Sequence, residues 1–580
     1  MKRAMLALGA VAVTIGVTSF LLAPPAAERL ASDPDPRVLR GAIHVHTTVS
    51  DGTGTPEDVA LSAERAGLDF VILTDHGDGT RPPAPARVVH GVLLIDAVEI
   101  STTGGHYLAL GLGQTPYPLG GEARDVVADV TRMGGVGIAA HPDSRKAELS
   151  WREWTAPFDG LEWLNADSAW RDEPRATLAR ALAGYWWRAP ETIASLLDRP
   201  ETTVARWDAL SRRRRTLGLA GHDAHARIGA RGRWDGAPDT AEQYALKLPG
   251  YEAAFRAFST NVVVDSPVDT RQPAEAASAV VAAIRQGRVF TVLDGLAGPA
   301  RLEFTAASDA ESWDQGSDVP PGRQVTLRAT ARPAPSDAIV VIIKDGAAVA
   351  SGRGIVTITH AVGAPPSSYR AEVHLARAPG APAVPWIVGN PIRVGFAAPR
   401  TTPSLLPIAS WSRALPQGGW TVEKAPSSVT ELSDTTLAPD NTAWTLEWRL
   451  GDGAPAGQYA AIAVPVARGD LRDADRISFM ARAAGPMRMS LQLRSHARGG
   501  ARWRRSVFLS AAPTDVSIPL RELTPVDDPP GALDTAAIDS VLFVVDTVNT
   551  APGSRGELWV SALRVEGATA AGQVRTVNSR

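Results

Sequence analysis

The sequence predicts an α/β domain built on a largely parallel sheet, followed by two all-β sandwich domains. Three observations carry that expectation. From about residue 38 to 294, strand-like runs alternate with helical ones, the order that a parallel sheet with crossover helices produces. From 298 to 398, short alternating stretches are separated by Gly, Pro and Asp turns, as in a small Ig-like sandwich. From 418 to 568, strand candidates follow one another without helices, which reads as a jelly roll. A chain of 580 residues is also too long for one hydrophobic core.

The elements follow in order. Lys2 and Arg3 precede an uncharged apolar run from Ala4 to Leu22, and small residues and prolines follow up to Ala27. Residues 1–30 therefore read as a secretory signal or, because the run approaches spanning length, as an uncleaved membrane anchor with its basic end inside. Either way the protein is expected to be exported, periplasmic or extracellular. There is no cysteine, which excludes a lipoprotein attachment, a disulfide framework and thiolate metal ligands.

In the first domain, expected over 36–297, strand candidates are 41–46, 70–75, 93–100, 107–112, 136–141, 160–164, 217–221, 262–265 and 289–292. Helix candidates are 56–66, 123–133, 192–197 with 202–214, and 273–286. Thr55 is placed to cap the first helix, with Pro56 in its first turn and Glu57 and Asp58 at the positive end of its dipole. The sandwich over 298–398 has strand candidates such as 324–329, 338–343 and 369–374. A Pro-containing linker, 399–417, leads to the module over 418–568, and 569–580 is a tail. In that module strands are expected at 444–450, 460–464, 476–481, 488–494, 504–509, 516–519, 540–545 and 557–565. A net charge of −3 argues against a generally basic nucleic-acid-binding surface.

Eight of the eleven histidines lie between His44 and His225, the most telling of them after strand-like runs. His44 and His46 fall on one side of an extended segment, because strand side chains repeat with period two. His, Asp and Glu side chains at successive strand ends are what a multinuclear site needs. Such donors suit zinc, manganese or iron, and a shared carboxylate can bridge two ions. Taken singly, each histidine is more often a satisfied or surface residue than a ligand. The joint pattern reverses that balance.

His44-Val45-His46, Ser50-Asp51-Gly52, Thr74-Asp75-His76, Glu99 with Gly105-His106, Ala140-His141-Pro142 and Asp223-Ala224-His225 occur in that order. Together they closely resemble the PHP (polymerase and histidinol phosphatase) superfamily, over about 36 to 295. The pattern HxHTxxSDG…TDH is similar to a branch containing nucleotide phosphatases and RNA end-trimming exonucleases. The resemblance implies a distorted (β/α)7 barrel with two or three divalent ions. By motif position, His44, His46, Glu99 and Asp223 would hold the first ion. Glu99 would bridge to a second held by His106 and His141, and Asp51, His76 and His225 would hold a third. His222 stands where relatives more often carry serine.

The expected function is a metal-dependent hydrolase acting on a phosphomonoester or phosphodiester: a nucleotide, a sugar phosphate or a nucleic-acid end. The nucleophile would be metal-bound hydroxide, its water held by Glu99 and Asp223. Arg145, Arg227 and His222 are candidate substrate contacts; both arginines follow ligand motifs and suit bidentate contact with phosphate. Asp75 precedes His76 and points the other way, which makes it a supporting group. Two other readings remain open. The same barrel can support amide or lactone hydrolysis, and a non-catalytic envelope- or glycan-binding protein would use metals only to support its fold. Trp411, Trp420, Trp444, Trp448, Trp503 and Trp559 in the third module, which is similar to jelly-roll carbohydrate-binding modules, could stack on sugar rings. In a β-sandwich, tryptophans are more commonly core residues.

Overall fold

The computed structural model describes residues 13–14, 16–31, 33–171, 173–227, 248–397, 409, 411–416, 418–438, 441–453, 457–526 and 532–567. Most of the expected linker, the 569–580 tail, and residues 1–12 and 15 of the expected leader lie outside them. The chain forms two compact units, one of residues 1–114 with 122–399, the other of 115–121 with 400–580. Among the described residues no helix is long and apolar enough to cross a membrane.

The α/β part of the first unit is built on two sheets. One contains, in spatial order, strands Leu217–Gly221, Gly160–Asn165, Val136–Ala139, Gly105–Leu110 and Val98–Thr102. The other runs through Val289–Val292, Ser259–Val263, Val38–Val45, Phe70–Leu73, Val92–Asp96 and Arg87–Val89. Val38–Val45, Phe70–Leu73 and Val92–Asp96 pair in parallel, and their side chains alternate between two cores, as in strands covered on both faces. Phe70, Ile72, Leu93 and Ile95 join Leu108, Ile138 and Leu219 in one core. Val71, Leu73, Val92 and Leu94 pack with Val59 and Ala63 in the other. The latter two come from helix Pro56–Ala66, capped by Thr55 as the sequence predicts.

Three features differ from the expected sheet. The single strand expected over 93–100 is broken at Ala97, with Val92–Asp96 in one sheet and Val98–Thr102 in the other. The sheets are mixed rather than largely parallel. Gly105, at φ 110°, closes an antiparallel hairpin between Val98–Thr102 and Gly105–Leu110, and Ser259–Val263 lies antiparallel to both its neighbours. In place of one continuous ring, the sheets meet at two seams. At one, His222 and Ala224 amides donate to Ile43 and His44 carbonyls (2.9 and 3.1 Å); at the other, the Glu99 amide donates to the Asp75 carbonyl (3.2 Å). Helices Ala166–Arg171, Arg175–Tyr185 and Tyr251–Ala257 were not anticipated, and the helix expected at 192–197 is Ala189–Ala194.

The rest of the first unit is a β-sandwich. A sheet of Arg301–Ala307, Ser312–Asp314, Val325–Arg332 and Val356–His360 forms one layer. The other layer extends the α/β sheet itself, because Ile387–Gly389 pairs antiparallel with Val289–Val292. The second unit is a sandwich of two six-stranded antiparallel sheets around one apolar core. All the strands expected there are present. Strands Trp411–Ala414, Thr421–Lys424 and Val429–Ala438 add to them; their polar composition hides them from pattern reading.

Candidate functional site

Eight of the nine predicted ligands lie near a strand end, and Asp51 lies in the turn between strand Val38–Val45 and helix Pro56–Ala66. The chain bulges at His44, where the register against Phe70–Leu73 shifts, and His44 takes φ 64°. His141 (φ 29°) and Asp223 (φ 48°) also occupy left-handed backbone. Non-glycine residues adopt that conformation only where the surroundings impose it, and it concentrates at functional sites.

The structure brings all nine predicted ligands together. Their donor atoms form four overlapping groups: His44, His46 and Asp223; His44, Glu99 and His141; His76, Glu99 and His106; and His46, Asp51, His76 and His225. Glu99 is the hub. Its Oε1 lies 2.8 Å from His106 Nδ1 and 2.9 Å from His141 Nε2. Its Oε2 lies 3.3 Å from His44 Nε2, 3.2 Å from His46 Nε2 and 3.3 Å from His76 Nδ1. Asp223 Oδ1 is 3.5 Å from the Nε2 atoms of both His44 and His46, and Asp51 Oδ2 is 3.2 Å from His225 Nε2.

These residues fit a set of divalent ions. Two ligand atoms bound at about 2.1 Å to one tetrahedral ion stand roughly 3.4 Å apart, close to the spacings found here. The buried Nε2 atoms of His44 and His46 have no hydrogen-bond partner, and both face the Glu99 and Asp223 carboxylates. Other ring nitrogens are tied down, which orients the rings. His44 Nδ1 donates to Glu162 Oε1 (2.6 Å), His141 Nδ1 to the Leu149 carbonyl (3.1 Å) and His225 Nδ1 to the Asp223 carbonyl (3.0 Å).

The charges are mutually dependent. Burial drives His44 and His46 toward neutrality. The carboxylates around them, Asp223, Glu162 and Glu99 for His44 and Asp223 and Glu99 for His46, more than compensate. His44 ends well above its usual value and His46 at about 10. Glu99 and Asp223, despite burial, are held well below the carboxylate range by the imidazoles. Divalent cations would replace the protons that hold this cluster together.

Glu162 was not anticipated. Both its oxygens are used: Oε1 by His44, Oε2 by the His141 amide (2.7 Å) and Asn165 Nδ2 (2.8 Å). It lies in a strand, Gly160–Asn165, buried along its whole length. A lone carboxylate in such a strand demands partners, and that was the available signal. Asp75, as expected, supports the site from behind, accepting from the Thr47 amide and hydroxyl (2.7 and 2.8 Å) and from Ser50 Oγ (2.6 Å).

A cavity of about 670 Å³ opens beside the cluster, with Asp51, Asp223 and His225 in its wall. Arg227 lines it and donates to the Asp51 carbonyl (3.4 Å). Arg145 is exposed and is not in this wall; the adjacent Lys146 is. His222 touches the cavity, but its ring stacks on Phe258 with centroids 4.0 Å apart and its Nε2 donates to the Phe258 carbonyl (3.0 Å). Trp170, Arg171 and Tyr185, from the unanticipated helices, complete the wall.

In the second unit, Trp420, Trp448 and Trp503 are core residues, and Trp411 and Trp444 pack against that core. Trp559 is half-buried beneath Arg482. None of the six is an exposed ring.

No family model matches the chain, and no curated protein matches it. Among solved structures, the chain is similar to a two-domain protein from Bacteroides vulgatus containing a predicted PHP-like metal-dependent phosphoesterase. The identity is 16%, over 64% of this chain and 100% of that one, with a TM-score of 0.29. It is also similar to a family 11 carbohydrate-binding module from Clostridium thermocellum in complex with a β-1,3-1,4-mixed-linked tetrasaccharide. There the identity is 18%, over 27% of this chain and 96% of that one, with a TM-score of 0.23. Likeness at this level carries no argument about activity, so the functional reading rests on the site's own side chains.

Proposed function

We propose that this chain is an exported metal-dependent phosphoesterase whose α/β region acts as a PHP-type barrel. The observation that carries the reading is the convergence of nine His, Asp and Glu side chains, Glu99 among them, in four overlapping groups beside an open cavity with cationic side chains in its wall. His44, His46, Glu99 and Asp223 would hold one ion, Glu99, His106 and His141 a second, and Asp51, His76 and His225 a third. His46 Nδ1 stands 3.5 Å from Asp51, which places it beside that third group as well. Divalent ions held here acidify water and polarise phosphoryl oxygens. The chain's own residues do the rest. Glu162 fixes the His44 ring, Asp75 fixes the Thr47–Ser50 turn, and Arg227 with Lys146 supplies positive charge to a phosphate. Export rests on the basic start and apolar run of residues 1–30, and cell fractionation tests it.

The direct experiment loads the purified chain with manganese, zinc or iron and screens phosphomonoesters, phosphodiesters, amides and lactones. Inorganic phosphate or a phosphomonoester product is expected. Turnover of amides or lactones alone would replace this reading with the carbonyl-hydrolase one. Glu99→Gln is expected to lower turnover at least about 100-fold, since even groups that only support ligands are worth 10- to 100-fold. Unchanged turnover would make the metals structural.

For the second unit, a glycan-binding role is favoured by one observation. On the sheet face opposite the core, Gln492 is buried with its Oε1 unpartnered, between Ser490 and Arg494. Binding of soluble β-glucans that Gln492→Leu abolishes would support it; no binding by the wild-type chain would remove it.

A further inference from the structure

We propose that helix Arg175–Tyr185 and the Trp186–Trp187 pair after it form a membrane-docking surface, placing that wall of the cavity against a lipid bilayer. Large apolar side chains stand in the open here. Trp186 is 74% exposed, Leu182 56% and Trp187 51%. Isolated exposed hydrophobics are ordinary, whereas a contiguous group of them marks an interaction surface.

Three further observations identify a bilayer as the occupant. First, the N-terminal apolar segment, which the sequence reads as a leader or anchor, packs against this turn. Phe20 meets Trp187 edge-on at 5.4 Å, and Trp187 Nε1 donates to Ser19 Oγ (2.8 Å). Arg188 lies over the Phe20 ring and donates to the Pro24 carbonyl (2.6 Å), and the Ala27 amide donates to Glu191 (3.2 Å). That segment adds Leu21, 74% exposed, and Val17, 53% exposed, to the same region. A bilayer that takes up the apolar run therefore meets Trp186 and Trp187 next. Second, the helix carries exposed Arg175 and Arg180 and no acidic residue. Basic side chains flanking apolar and aromatic ones are the composition of an interfacial helix, attracted to anionic headgroups. Third, the same helix contributes Leu178, Leu182 and Tyr185 to the cavity wall, so the element facing lipid also faces the site.

The surface stands independently of the reaction proposed above, and its test measures no turnover. The chain contains no cysteine, so single cysteines take one fluorophore each. Leu182→Cys and Trp186→Cys report on the surface. Val362→Cys, at a 63% exposed position of the sandwich in the same unit, serves as reference. The full chain is labelled and reconstituted with vesicles of phosphatidylcholine and phosphatidylglycerol. The expected result is a blue shift at 182 and 186, quenching there by brominated lipid tails, and a severalfold loss of iodide access, with no change at 362. Arg175→Glu with Arg180→Glu is expected to weaken all three effects. Iodide access at 182 and 186 equal to that at 362, in vesicle-bound protein, would overturn the proposal. So would shielding that rises with protein concentration in the absence of lipid, which would assign the surface to a second copy. Two reporter positions keep the test valid if one substitution fails to fold.

Discussion

His44 holds a backbone conformation that costs about 1–3 kcal/mol for a residue with a side chain, and His141 and Asp223 share the left-handed region. What offsets that cost is the set of bonds each conformation permits, and Glu162 serves two of the three residues. Its Oε1 accepts from the His44 ring, and its Oε2 accepts from the His141 amide and from Asn165 Nδ2. Glu162→Gln keeps the volume but removes the charge. It is expected to weaken metal binding 10- to 100-fold, read by competition with a chelator, with the fold intact by circular dichroism. Unaltered affinity would show that His44 needs no such support.

A second prediction follows from charge. In the metal-free protein His46 titrates near 10, against 6.5 unfolded. Its contribution to stability is therefore fully present below pH 6.5 and lost as pH rises toward 10. Metal binding must displace that proton, so the increase in Tm on adding metal is expected to grow with pH over the same interval. A metal-induced shift independent of pH would contradict the assignment. The nine candidate ligands were legible in the sequence because they sit in ordered motifs, and the resemblance of those motifs to the PHP superfamily implied the set. Glu162 was not, since a residue that acts through another carries no motif of its own.

Among elements, Leu217–Gly221 depends on two small residues for its position. At Gly221 a Cβ would overlap Glu162 Oε1, and at Gly218 it would overlap the Trp207 indole. Gly221→Ala is therefore expected to push Glu162 off His44, lowering metal affinity at least as far as Glu162→Gln does and destabilising the fold by about 1–3 kcal/mol. Metal titration and urea denaturation measure the two effects. An alanine variant with wild-type affinity would mean that Glu162 can move without consequence. The strands themselves were legible as apolar runs. The break at Ala97 was not, because residues 93–100 read as one run, and whether it continues in one sheet or crosses to another depends on partners distant in sequence. Helix Arg175–Tyr185 escaped because its leucines do not form one buried stripe; only Gly184 in it is fully buried.

At the scale of the whole first unit, the sandwich and the metal-site region share one hydrogen-bonded sheet. Asn390, next to the shared strand pair, accepts from the Gly218 amide (2.7 Å) and donates to the Gly218 and Val289 carbonyls (3.0 and 2.8 Å). It thereby braces the strand that delivers Asp223. A second brace is ionic. Buried Arg370 pairs with Glu372 (2.8 Å) and Asp208 and lies over the Trp207 ring, while Arg199 makes two bonds to Glu372 (2.7 and 3.1 Å). Glu372 is buried, which alone would raise its pKa, yet Arg370, His374 and Arg199 hold it far below the carboxylate range. A depressed carboxylate stabilises the fold above its unfolded value, near 4.5, and that contribution is lost as pH falls below it. Glu372→Ala leaves the Arg370 guanidinium buried with Asp208 as its remaining acidic partner, and breaking a buried pair in this way costs about 3–5 kcal/mol. The expected outcome is a lower Tm at pH 7, a flatter decline of stability on acidification than in the wild type, and weaker metal retention although no ligand has been changed. Calorimetry from pH 7 down to pH 3, together with metal analysis after dialysis, measures all three. If Glu372→Ala lowers stability yet keeps its metals through dialysis, the sandwich and the metal site are energetically separate despite their common sheet.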